Sequence, residues 1–337
     1  MLVIEFPGFI IPALPEKQIL GTFKQQFIES RKRGLQKFLT RVAGNKSLVE
    51  AQNFVQFLTS TEREFGNLRI AHEQEKNDSM STQFTSFWDK AYFTVFDTFT
   101  GVKPIEMVKV VPDTKIAEIE SISQYAEKLD DYVKKLMNTA THKISMDKEV
   151  AQSSIGFGNS FLRLSGKEHG LAAASFGQIG QRACDAGDIG EQLASSEDEM
   201  FLEPIKEFHL YILSMRETLK RRESMRKAYE DAVKTLNNTA ARPDEQFKPE
   251  SPKQAAIEQC RAEVEKTLSA FESMTEVFLE DFKNFKKETS GDVVRALFHF
   301  VRLQADFHKR CGTSWNEYQE NQYVAVPVSG ADTCVIS

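Results

Sequence analysis

The chain has 337 residues, with 43 Lys and Arg against 49 Asp and Glu and a formal net charge of −6 at pH 7, and its pI is near 5.7. That balance argues against bulk nucleic-acid binding and leaves any attraction to an anionic membrane to local patches. No unbroken apolar run approaches the ~20 residues of a bilayer-spanning helix. The start, MLVIEFPGF, has no basic leader and is interrupted by Glu5 and Pro7, so the expectation is a soluble or peripheral protein without a secretory signal. Cys184, Cys260, Cys311 and Cys334 lie far apart, with neither CxxC spacing nor histidines at metal-ligand spacing. They read as reduced cytosolic thiols, and the chain calls for no metal or cofactor.

The first element is a proline-rich loop, PGFIIPALPEK, in which Pro12 and Pro15 stiffen the backbone that presents Lys17. A helix follows. Phe27, Ile28, Arg31, Leu35, Phe38, Leu39 and Val42 recur at helical spacing, which predicts an apolar stripe with the cationic turn Arg31-Lys32-Arg33 facing outward. A stiffly held lysine near an arginine fork suits a phosphorylated head group. Lys32, Arg33, Lys37 and Arg41 otherwise read as a solvated helix face.

These residues resemble the second half of a PX domain, the phosphoinositide-binding module of sorting nexins. The resemblance assigns Lys17 to the family's loop lysine and Arg31 to the arginine of its FIExRxxGLxxFL helix, both phosphate contacts. The strands that grip the 3-phosphate in that family have no counterpart in MLVIE, so the PX domain reads as N-terminally truncated and the pocket as incomplete.

Glu73 to Thr82, EQEKNDSMST, lacks apolar periodicity and reads as a linker. Beyond it, Phe84, Phe87, Trp88, Ala91, Tyr92, Val95, Phe96 and Phe99 recur three and four apart and predict an amphipathic helix that stops at Gly101 and Pro104. Such an aromatic face suits the head-group layer of a membrane. Asp89 and Asp97 weaken the basic polar face usual there, and packing against a neighbouring domain is the alternative.

After Pro112 the pattern turns to long helices. The first is expected over about Thr114 to Leu164, the second over Leu171 to Asn237, and the third from Pro252, capped by Ser251, to about Lys309. Helices this long need a shared core. FGNSFLRLSGKEHGLAAASFGQIGQRA, the LEPIKEF entry and the final FLEDFKNFKKETSGDVVRALFHF segment resemble the BAR domain of sorting nexins. The expected fold is therefore mainly α: a three-helix, BAR-type antiparallel coiled-coil dimerisation domain preceded by the helical second half of a PX domain. The expected divisions are 1–70 PX-like, 71–82 linker, 83–101 amphipathic helix, 110–315 BAR-like and 316–337 tail.

The second long helix carries Arg216, Lys220, Arg221, Arg222, Arg226 and Lys227 against Glu217 and Glu223. With Ile212, Met215, Leu219, Met225, Tyr229, Ala232 and Leu236 as the buried stripe, most of these cations should face solvent. Each one near an anionic leaflet contributes on the order of 1 kcal/mol. The same run also reads as an ordinary solvated face. Phe84, Phe87, Trp88, Tyr92, Phe96, Lys220, Arg221, Arg222, Arg226 and Lys227 are the candidate membrane-binding residues. Cys334-Val335-Ile336-Ser337 matches a CaaX farnesylation signal, with an accidental apolar terminus as the alternative.

No catalytic site is expected. His72, His142, His169, His209, His299 and His308 are scattered, with no HExxH, GxSxG or P-loop. His299 reads as a packing residue, and Asp130-Asp131 and Glu197-Asp198-Glu199 as solvated faces. The resemblance implies a non-enzymatic, peripheral sorting nexin on endosomal membranes. Its expected partners are phosphoinositides, above all phosphatidylinositol 3-phosphate, a second copy or another sorting nexin, and a retromer-type cargo complex. The alternative is a helical adaptor that binds proteins rather than lipid.

Overall fold

The computed structural model describes residues 2–15, 25–64, 66–67, 108–242 and 253–322, and its described residues hold helices and no strand. In chain order these are α1 (Leu2–Glu5), α2 (Gln25–Gly44), α3 (Lys46–Val49), α4 (Gln52–Thr59), α5 (Ile116–Ser165), α6 (Gly170–Glu197), a π-helical turn (Asp198–Leu202), α7 (Glu203–Ala241) and α8 (Lys253–Gln322). The long-helix expectation holds, with two differences. The second helix is interrupted by the π turn, which takes up an extra residue and resets which side chains face inward. The third continues past Lys309 and through Gly312 to Gln322, a stretch with no proline to stop it.

The chain divides into two units, Met1–Tyr132 with Glu207–Thr289, and Val133–Lys206 with Ser290–Ser337. In the first, an N-terminal core joins Ile11, Val42, Leu48, Ala51 and Phe54 with Leu2, Phe6, Phe9, Phe38 and Leu39 around them. Asn45 caps α3 by accepting from the Ser47 and Leu48 N–H groups at 3.1 and 3.3 Å, satisfying donors that a helix start leaves open.

The long helices of the same unit meet along seams at three- and four-residue steps. Ile119, Ile122 and Ala126 of α5 are buried, as are Met215, Met225, Tyr229, Val233 and Leu236 of α7 and Phe271, Met274, Phe278 and Phe285 of α8. Phe282 stacks between Phe278 and Phe285 at 6.3 and 6.2 Å, and Tyr211 meets Phe285 edge-on at 4.9 Å. Each such ring contributes roughly 1.5–3 kcal/mol by leaving water.

The second unit is held differently. The inward face of α6 is made of Gly180, Ala183, Gly187, Gly190 and Ala194, and α5 passes close against it. A Cβ at Gly158 would lie 2.5 Å from the Gly180 carbonyl oxygen, and one at Gly180 would lie 2.8 Å from that of Gly158, so only glycines permit this crossing. Further along, Phe201 packs on Phe300 at 4.8 Å. On α5, Leu136, Val150, Phe157 and Leu164 are exposed, as are Val294, Leu297, Phe298 and Val301 on α8. These follow helical repeats, so each set forms an apolar row along its helix.

Candidate membrane-binding surface and its buried charges

The proline loop meets α2, although Ile28 and Leu35, expected on the apolar stripe of that helix, are exposed. Gly34 lets Pro15 come within 3.1 Å of where a Cβ would stand, and the Arg31 guanidinium donates to the Pro15 carbonyl at 3.4 Å. Lys17 lies outside the described residues, as do Phe84, Phe87, Trp88, Tyr92, Phe96 and Cys334. Two cations expected on a solvated face of α2 are engaged instead. Lys37 pairs with Glu207 at 2.6 Å, and Arg41 lies over the Tyr211 ring at 4.6 Å.

The N-terminal loop is fixed to the long helices by polar contacts. The Ile10 N–H donates to the Asp281 carboxylate at 2.7 Å, and the Thr218 hydroxyl donates to the Phe9 carbonyl at 3.2 Å. Arg221 donates to the Pro7 carbonyl at 3.4 Å and to the Thr218 hydroxyl at 2.7 Å. Burial pushes the Arg221 guanidinium below its ordinary value, with Glu217 opposing.

The α7 cations therefore differ in kind. Arg222, expected to face solvent, is 3% exposed. It donates to Asp113 at 2.5 Å and to the Thr275 hydroxyl at 2.9 Å, and it lies 4.7 Å from the Phe271 ring centre. The reason is register. Met215, Thr218, Met225 and Tyr229 are buried at seam spacing, and position 222 completes that seam. Arg226 is held above its ordinary value by its bond to Glu223, with burial opposing, and it also reaches Glu230 at 2.5 Å.

Lys220 and Lys227 have side chains 68% and 67% exposed, paired with Glu217 at 2.6 Å and Glu223 at 4.0 Å. Surface pairs of this sort are worth about 0–1 kcal/mol, so both lysines remain available to a ligand.

Two acids expected on solvated faces are also buried, Asp130 at 1% and Glu197 at 0% exposure. Asp130 accepts from His209 at 2.7 Å and from Arg216. Glu197 accepts from Lys143 at 2.6 and 2.9 Å and from Gln304. Burial raises the Glu197 carboxyl and the Lys143 bond opposes it. Since both carboxylate oxygens already accept, the charged pair fits the geometry. For Lys143, burial acts against the charge, but the bonds to Asp147 and Glu197 hold the ammonium above its ordinary value. His299 is half-buried and meets Phe298 edge-on at 6.3 Å.

Asp281 is likewise buried, between Phe278 and Phe285 on the α8 seam. Sequence reasoning passed over it. In all four cases the available signal was a charged residue on a heptad position otherwise filled by apolar ones. No described helix is long and apolar enough to cross a membrane, and no group of metal-ligating side chains gathers among the described residues.

A PX domain model matches residues 1–61, and a BAR domain model matches residues 114–322, more than half of the chain. The chain belongs to the PX-BAR sorting nexins. This sorting nexin is 23% identical over 321 residues to sorting nexin 1 of Arabidopsis thaliana, covering 92% of this chain and 77% of that one. It is 21% identical over 322 residues to human sorting nexin-7, covering 94% of this chain and 74% of the other. The cryo-EM structure of the SNX-BAR Mvp1 tetramer aligns with TM-score 0.64 at 16% identity, covering 94% of this chain and 85% of that one; at that identity the likeness concerns the fold. PX-BAR sorting nexins are membrane-associated trafficking proteins whose BAR helices dimerise.

Proposed function

We propose that this sorting nexin is a non-enzymatic, peripheral protein that binds phosphoinositide-bearing endosomal membranes as a homo- or heterodimer, senses or imposes curvature, and works beside a retromer-type cargo complex. The observation that carries the reading is the match of a PX and a BAR domain in that order on one chain. Arg31 against Pro15 supports a phosphoinositide site completed by Lys17, with phosphatidylinositol 3-phosphate as the expected lipid. The exposed apolar rows on α5 and α8 are the kind of surface a second copy covers. Head-group contact by Phe84, Phe87, Trp88, Tyr92 and Phe96 and farnesylation of Cys334 belong to the same proposal.

Arg216, Arg221, Arg222 and Arg226 are drawn into contacts with neighbouring groups, which narrows the well-exposed basic surface of this run to Lys220 and Lys227 and favours the adaptor reading in part. Cosedimentation separates the two. With vesicles of phosphatidylcholine, phosphatidylserine and phosphatidylinositol 3-phosphate, the protein should pellet at low salt and be released as salt rises, because screening shortens the reach of its charges. Lys220→Glu with Lys227→Glu should weaken pelleting by about tenfold or more, since each cation is worth on the order of 1 kcal/mol per protomer. A protein that stays in the supernatant at every salt concentration is an adaptor.

A further inference from the structure

Beyond Thr289, α8 carries two seams. Ala296 is buried, Phe300 packs on Phe201 and Gln304 donates to Glu197, so that side is turned toward its own protomer. On another side, Val294, Phe298, Val301, Ala305 and His308 recur at steps of four and three, Trp315 falls one heptad further on, and all six are exposed. This is the spacing by which one helix packs along another.

Directly after Val294, Val301 and His308, at seven-residue intervals, stand Arg295, Arg302 and Lys309, so one flank of the row is basic throughout. All three are exposed. Arg295 meets Asp292 at 3.5 Å, and Arg302 lies 5.7 Å from the Phe298 ring centre. Flanking charges select the helix that covers such a row. A second α8 would serve badly. Antiparallel, it sets this flank against its own copy, cation facing cation; parallel, it sets it against the other flank, Leu297, Gln304 and Cys311, where no acid stands.

Matching acids are on α6. From Asp185 to Glu203 the chain has seven acids and no Lys or Arg. Asp185 pairs with Arg182, Glu197 with Lys143 and Asp198 with Lys206, whereas Asp188 and Glu191 are exposed and form no ion pair among the described residues. The neighbouring helix α5 carries the exposed row Leu136, Val150, Phe157 and Leu164, spaced at multiples of seven. Two glycines fix the level of the acids along it. A Cβ at Gly190 would lie 3.0 Å from the Ala151 Cβ, and one at Gly187 would lie 2.7 Å from the Ala151 carbonyl oxygen. Asp188 and Glu191 therefore stand level with Val150 on the α5–α6 pair.

We propose that the dimer partner is a second copy of this chain: the α8 row covers the α5 row of the other copy, with Arg295, Arg302 and Lys309 set against Asp188 and Glu191 of that copy. Two-fold symmetry makes the contact twice, so one set of charges specifies both halves. The inference rests on the dimeric reading above and selects the homodimer within it. Charge complementarity of this kind fixes register and rejects other partners.

The test measures dimer dissociation of the full chain by analytical ultracentrifugation. Wild type should sediment at twice 38.3 kDa. Arg295→Glu with Arg302→Glu and Lys309→Glu should weaken the dimer about tenfold or more, and so should Asp188→Lys with Glu191→Lys, because each set puts like charges face to face. All five side chains are exposed, so helix content should match wild type. Mixed in equal amounts, the two variants should recover wild-type affinity to within about threefold, since reversed α8 then meets reversed α6 in both halves. Val301→Glu, in the row itself, should be monomeric. A wild type that stays monomeric throughout the micromolar range overturns the second copy and leaves the reading above only its heterodimer. Charge reversals without effect overturn the inference, as does a mixture that fails to recover. A Val301→Glu protein that dimerises as wild type places the dimer contact elsewhere and removes the reading of the rows and this inference together; a monomeric Val301→Glu beside undisturbed charge variants removes the inference alone.

Discussion

Asp281→Asn probes the contact between the N-terminal loop and α8. Asp281 is 7% exposed and accepts from the Ile10 N–H at 2.7 Å. Burial pushes its carboxyl from 3.8 up to about 6, with Glu288 adding to the rise and the bonds from Ile10 and Asn284 opposing it. At about 1.36 kcal/mol per tenfold change, that difference corresponds to ~3 kcal/mol. The folded carboxyl holds its proton more tightly than the unfolded one. Its contribution to stability is therefore fully present below 3.8 and is lost as pH rises through about 6. Asn keeps an oxygen for the Ile10 N–H and carries no charge. The variant should then unfold at higher urea than wild type at pH 7.5, by up to ~3 kcal/mol, with the advantage shrinking to about half at pH 5. Taking the difference between the two proteins at each pH, at equal protomer concentration, cancels other titrating groups and the dimer equilibrium. An advantage that does not change with pH, or a variant less stable at pH 7.5, would refute the reasoning.

Arg222→Ala should destabilise by about 3–5 kcal/mol in urea unfolding, because it leaves Asp113 without its partner, and adding Asp113→Asn should recover much of that loss if the pair is the cause. Gly180→Val should disturb the α5–α6 crossing, where its Cβ would stand 2.8 Å from the Gly158 carbonyl oxygen; a cost of about 1–3 kcal/mol should appear as faster amide exchange in α5 and α6, with helix content by circular dichroism retained.

The architecture was legible because long amphipathic helices announce themselves locally. Ile119, Ile122, Ala126 and Val133 repeat at seam spacing on α5 with no need to know their neighbours, and the proline loop and the Arg31 helix could be read the same way. The α7 surface was less legible. Arg222, Lys220 and Lys227 look alike in a run of cations, and only register, read strictly, singles out position 222 as internal. Lys37 and Arg41 were misjudged for a different reason, since their partners Glu207 and Tyr211 lie far along the chain.

The sequence alone therefore determined the helical class, where each long helix starts, and the family, while the π turn and the run of the last helix to Gln322 escaped it. Periodicity and helix stops are properties of neighbouring residues, which carry that information wherever the chain goes. Only the tertiary structure decided which charges are internal and what they hold: Asp130 with His209 and Arg216, Glu197 with Lys143, Arg222 with Asp113, and Asp281 with Ile10. A buried charge is tolerable only when a distant segment brings it a partner, and that meeting exists in space before it can be recognised in the chain.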